Sequence, residues 1–183
     1  MAEGGTSHWS RCSRKMEPLS DLLVVFAMSG RRLALPADAV AELVHEPTLV
    51  RAPAMPTMVA GVFSLRGRVV AVLRLDRLLE LPAPATGPFR VLVILSEPND
   101  GWALLVERVE AVVSAGTLEP APSGTAFDDC VAGMAPLPEG AAPKGSVVVL
   151  AAERLLRRRE TQALADFTEQ AARRWEELCG GVA

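Results

Sequence analysis

The chain repeats itself, and that limits its possible folds more than any other feature. Ala34-Leu35, Asp38, Val40 and Leu43-Val44 return 69 positions later as Ala103-Leu104, Glu107, Val109 and Val112-Val113. Val59-Ala60-Gly61 returns unchanged 72 positions later as Val131-Ala132-Gly133. Asp76-Arg77-Leu78-Leu79 returns 77 positions later as Glu153-Arg154-Leu155-Leu156. Single coincidences are common in a chain that is 50% apolar. Three in one order, with an offset that grows as loop insertions make it grow, are not. The repeat predicts two similar units, each short of core on its own, packed to share a buried face. The apolar runs are short and separated by turn residues, so the units are expected to be small β barrels. Aromatic residues are only 4% of the chain and tyrosine is absent, so the core must be built from Val, Leu and Ala.

The most informative stretch runs from Val59 to Leu79. Val62 and Leu65 lead into Arg66-Gly67, where glycine supplies the positive φ of a tight reversal. The run Val69 to Leu73 is apolar throughout and predicts a strand buried on both faces. Asp76 then stands where a carboxylate favours a helix start. Arg66 is the one charge at the tip of an otherwise apolar hairpin. Glu42 is its expected partner, meeting it across neighbouring strands beside Val40, Phe63 and Leu65. Arginine among apolar neighbours is the composition of a protein-binding hot spot, although a turn arginine is often merely solvated.

Elsewhere, Leu22 to Met28 and Arg32 to Leu35 predict a hairpin around Ser29-Gly30, and Pro36 opens a short helix to about Val40. Glu42 to Arg51 is expected to be extended. Phe89 to Leu95 and Trp102 to Val106 form a second predicted hairpin, and Ser146 to Leu150 another buried strand. Leu81 to Pro88 is a stiff, proline-spaced connector. Residues 1–20 have the composition of a disordered lead-in. In the tail, Leu164, Phe167, Ala171, Trp175 and Leu178 step by three and four, which predicts an amphipathic helix. That helix docks on the chain's own barrels or faces a partner; the spacing leaves both open.

The chemistry of an enzyme is missing. His8 lies in the lead-in, and His45 has neither a carboxylate nor a cysteine motif around it. Asp128-Asp129-Cys130 alternates its side chains if extended, so it is expected at a solvated loop end. Arg157-Arg158-Arg159 is expected to be a solvated helix face or a helix C-terminal cap rather than a binding patch. There is no phosphate-binding glycine loop and no nucleophile elbow. Cys12, Cys130 and Cys179 have no paired spacing, which fits reduced thiols. A formal charge of −3 and a pI near 5.5 speak against nucleic acid or an anionic membrane surface. No apolar run reaches the length of a membrane span. Neither a metal nor a cofactor is expected.

Gly61-Val62-Phe63-Ser64-Leu65-Arg66-Gly67, followed by Val70 to Leu75, resembles the Asn-Leu-Arg-Gly signature of the CheW family of chemotaxis coupling proteins. Leu105 to Val113, ahead of Glu119-Pro120-Ala121-Pro122, resembles the family's valine-rich segment, so the resemblance runs from about Leu22 to Leu156. It implies a mainly β fold of two SH3-like five-stranded barrels related by a pseudo-twofold axis, with short helices besides. The domain would be 21–156, its barrel halves roughly 21–81 and 89–156, followed by the helix and tail at 157–183. It also implies a non-catalytic adaptor in the cytoplasm, recruited to receptor arrays, which bridges a histidine kinase's regulatory domain and the cytoplasmic tips of chemoreceptors. Carried over by position, Val40, Gly61 and Val62 fall on the receptor-side groove, and Glu42 and Arg66 are paired charges that shape the next turn. Phe63, Leu65 and Gly67 complete the partner-binding stretch. Ser64 replaces the family's Asn, Glu107 its usual Asp, and Arg74 the Asp that usually precedes Leu75. The reversal at Arg74 implies a changed kinase surface, so a divergent scaffold without the kinase contact is the alternative.

Overall fold

The computed structural model describes residues 21–53, 55–83, 90–114, 116–120, 130–137, 145–155, 168 and 173. The lead-in, most of the connector, Asp128-Asp129, the arginine run and the helical face proposed for the tail lie outside them. Ten strands account for most of the rest: β1 (Leu22–Met28), β2 (Arg31–Pro36), β3 (Val40–His45), β4 (Val59–Leu65), β5 (Arg68–Arg74), β6 (Val91–Leu95), β7 (Trp102–Val106), β8 (Arg108–Ser114), β9 (Val131–Pro136) and β10 (Ser146–Leu150). A 3₁₀ turn at Ala37–Ala39 and the short helix α1 (Leu75–Leu78) sit where Pro36 and Asp76 predict them.

The strands form two five-stranded sheets, ordered β8-β1-β2-β10-β9 and β3-β6-β7-β5-β4. Exchanging each strand for the one five places away turns the first order into the second. The repeat is therefore structural, but its units are interleaved. Each sheet takes two strands from one half of the chain and three from the other, joined by the parallel pairs β2·β10 and β5·β7. The halves 21–81 and 89–156 do not correspond one to one with the sheets. Strand pairing is non-local, so sequence similarity shows that two units match without showing which strands complete each one.

Each sheet closes on itself in the same way. The chain leaving β3 returns to the far edge of its own sheet, where Val50 and Val62 exchange backbone hydrogen bonds of 2.8 and 2.9 Å. The chain leaving β8 does the same at Glu119 and Met134, with bonds of 2.7 and 2.8 Å. The repeated glycine makes both crossings possible. A Cβ on Gly61 would lie 2.8 Å from Leu49 Cβ and 3.0 Å from the Val50 carbonyl oxygen, and one on Gly133 would lie 2.6 Å from the Glu119 carbonyl oxygen. Matching bulges leave Ala60 and Ala132 without a partner and add the twist that closure requires.

Alternation along the strands then sorts the core into three. One cluster fills the β3–β7 barrel, with Phe63, Val70, Val72, Leu92, Ile94 and Ala103. Its repeat counterparts Ala135, Val147, Val149, Leu23, Val25 and Ala34 fill the other barrel. Phe26, Leu35, Leu73, Leu104 and Leu150 lie in the larger cluster that joins the sheets. This is the shared face the repeat predicts, and both barrels depend on it.

Candidate functional site

The hairpin tip follows from its turn. Leu65 pairs with Arg68, leaving a two-residue loop in which Arg66 (φ 51) and Gly67 (φ 82) both have positive φ. This turn matches the right-handed twist of its strands. Ser29-Gly30 makes the same reversal between β1 and β2, so the geometry does not itself require arginine. Arg66 Nη2 donates to Glu42 Oε2 at 2.8 Å, with the Arg66 side chain 79% exposed and that of Glu42 30% exposed.

The expected pair is thus present, but it does not span neighbouring strands. Glu42 lies on β3 and Arg66 at the end of β4, the two opposite edges of one sheet, which curling brings together. An ion pair this exposed contributes about 0–1 kcal/mol. Its effect is to present a fixed guanidinium at the barrel rim.

The remaining candidates fall into two layers. Ser64 and Gly67 are exposed beside Arg66, and Leu65 is half-buried against the barrel interior. Gly61, Val62 and Phe63 are buried beneath them, and Val40 packs against the joining cluster. These four shape the rim from below. Glu107 is also turned inward, accepting the Ser29 backbone N–H at 2.9 Å. His45 is exposed at the end of an edge strand.

Arg74 lies at the other end of β5 and has a task within the chain. Its Nη2 donates to Asp76 Oδ2 at 2.9 Å, and Asp76 is the one buried charged residue among those described, at 2% exposure. Asp76 does not cap α1, which starts after Arg74 without a side-chain cap. A buried carboxylate needs a cation, and Arg74 supplies it. Sequence reasoning also missed Glu46 and Arg90, which form a two-pronged ion pair beside Arg74 with both contacts at 2.8 Å. Their separation in the chain gave no signal. Comparing the two repeats position by position could have supplied one. Among the described residues, no three His, Cys, Asp or Glu side chains are grouped to hold a metal, and no helix is long and apolar enough to cross a membrane.

The CheW-like domain family model matches residues 22–160. Protein PilI of Pseudomonas aeruginosa is 38% identical over 87 residues, which are 46% of this chain and 47% of that relative, so the match spans about half of PilI. The fold is that of the scaffolding protein TtCheW from Thermoanaerobacter tengcongensis, with a TM-score of 0.66 and 20% identity over 78% of this chain and 92% of that one. The family match covers most of the chain, and the likeness of fold agrees with it: this protein belongs to the CheW-like domain family.

Proposed function

We propose that the protein is an adaptor that couples chemoreceptors to a histidine kinase and catalyses no reaction. The supporting observation is an asymmetry between its two otherwise matching barrels. The repeat counterparts of Glu42 and Arg66 are Ala111 and Pro138, so neither charge of the pair recurs at the equivalent position of the other barrel. The fold therefore works without these charges, and recognition is the remaining reason for them.

In this reading a receptor's helical tip lies along the rim at Val40, Glu42 and Ser64 to Gly67. The kinase's regulatory domain is held by another face, and the receptor's state is passed on as a shift in how the kinase is held. Such contacts are modest in area and gain strength from many copies in an array. The protein acts in the cytoplasm and binds neither nucleic acid nor lipid. The inward pairing of Arg74 supports the second reading, a scaffold without the kinase contact, because that charge is committed to Asp76.

Co-precipitation with a receptor fragment alone, the kinase alone and both together tests the proposal. The coupler is retained by each and bridges the two. Arg66→Ala should weaken receptor capture and leave the melting temperature almost unchanged. Loss of folding in Arg66→Ala would show a structural residue and refute the site.

A further inference from the structure

A second asymmetry lies at the opposite end of the same barrel. Its mouth is a cavity of about 290 Å³ lined by Glu46, Leu49, Arg51, Ala60, Arg74, Arg90 and Leu105. The floor is apolar and continuous with the barrel interior through Leu49, Ala60 and Leu105. The wall holds three guanidinium groups. Arg90 is matched by Glu46 and Arg74 by Asp76, which Arg77 also approaches at 3.8 Å, while Arg51 is exposed and makes no ion pair among the described residues. One positive charge is left over.

The twin barrel serves as an internal control. The floor recurs in it, with Leu49 matched by Leu118 and Ala60 by Ala132. Its charged wall does not recur: Glu46, Arg51 and Arg74 correspond to the uncharged Ala115, Pro120 and Ala151, and Arg90 to the oppositely charged Asp21. Closing the barrel requires the floor and does not require the arginines. Three guanidinium groups gathered on one mouth, with none at the equivalent positions of the other, have no folding role common to both barrels.

We propose that this mouth is a binding site for an acidic side chain of a partner protein, a glutamate or aspartate flanked by aliphatic residues. A carboxylate matches Arg51, the wall guanidinium without an ion pair among the described residues, and is less repelled by Glu46 and Asp76 than a dianionic phosphate. The Arg51 guanidinium has the forked donor geometry a carboxylate accepts, and the floor takes the neighbouring aliphatic group. The seven residues of β5 separate this mouth from the Arg66 tip by about 23 Å, so both ends can be occupied together. The site does not depend on the identity of the partner at the tip.

The test uses the full chain labelled with ¹⁵N and titrated with N-acetyl-Leu-Glu-Leu-amide, its Gln counterpart and inorganic phosphate. The expected result is a saturable shift of the Leu49, Ala60 and Leu105 amides by the Glu peptide, with the Gln peptide about tenfold weaker. Arg51→Gln should weaken Glu-peptide binding about tenfold with an unchanged melting temperature, and Arg66→Ala should leave it unaffected. The inference is overturned if the Glu peptide gives no saturable shift, if the Gln peptide binds as well, if phosphate binds the same amides as tightly, or if Arg51→Gln has no effect.

Discussion

Replacing Gly61 by alanine tests whether the crossing at Val50 closes the barrel. The added methyl would start 2.8 Å from Leu49 Cβ and 3.0 Å from the Val50 carbonyl oxygen, against a comfortable carbon–carbon separation of about 3.5–4.0 Å. The incoming segment must therefore move by most of an ångström. It is held by two backbone bonds of 2.8 and 2.9 Å, each contributing about 1 kcal/mol net. Shifting it also pulls Leu49 from the interior, and such overpacking costs about 1–3 kcal/mol. Alanine recovers about 0.4–1 kcal/mol by restricting the unfolded chain. With both bonds lost the balance is a loss of about 2–5 kcal/mol, and the lower end alone lowers the melting temperature by about 4–8 °C for a chain of this size. Gly133→Ala should lose more, because its methyl would meet a backbone oxygen at 2.6 Å. Gly101→Ala is the control, with nothing within 4 Å of its added methyl. Urea unfolding followed by circular dichroism reads all three. If Gly61→Ala stays within about 0.5 kcal/mol of the control, the crossing does not hold the barrel shut.

Three further outcomes follow from single contacts. Arg74→Ala removes the closer cation from a carboxylate whose side chain is 3% exposed, leaving Arg77 at 3.8 Å. We expect a loss of about 2–4 kcal/mol in urea unfolding, partly restored by adding Asp76→Asn. Glu80 has a φ of 52 directly after α1, where the Leu81 N–H bonds the Asp76 carbonyl at 2.8 Å. Glycine suits that position, so Glu80→Gly should raise stability by about 0.5–1 kcal/mol in a thermal melt. The Arg66–Glu42 pair is mostly in water, and a double-mutant cycle on folding should give less than about 1 kcal/mol of coupling.

The repeat was legible because closing a barrel makes strict local demands. Ala60, Gly61, Ala132 and Gly133 must stay small where a strand is crossed, and Val70, Val72, Val147 and Val149 must fill equivalent interiors. The turn at Arg66-Gly67 was legible for the same reason: its signal is local. The interleaving was not, because contiguous and exchanged units bury the same residues and leave the same pattern. Glu42 and Arg66 could be matched as charges, yet only the curl of the sheet explains how opposite edges meet. The position of Asp76 looks like a helix start, whereas its role comes from burial, which no short window of sequence records. Arg51, Arg74 and Arg90 are far apart in the chain and converge only once the barrel has closed.

A duplicated fold permits a subtraction that a single domain does not. Residues that both copies keep at equivalent positions are accounted for by closure and packing, as the two interiors show almost residue for residue. What remains on the β3–β7 barrel is mostly charge, and it lies at the two ends. Glu42 and Arg66 sit at the hairpin tip, and Glu46, Arg51, Arg74 and Arg90 line the mouth. Leu65 near the tip and Leu49 near the mouth pack on the same buried cluster. Protein interiors of this kind are close-packed and transmit displacement poorly damped. The duplication has thus left the β3–β7 barrel with charges at both ends joined by a stiff interior, while its twin carries a different charged set, Arg32, Arg108 and Glu110, on β2 and β8.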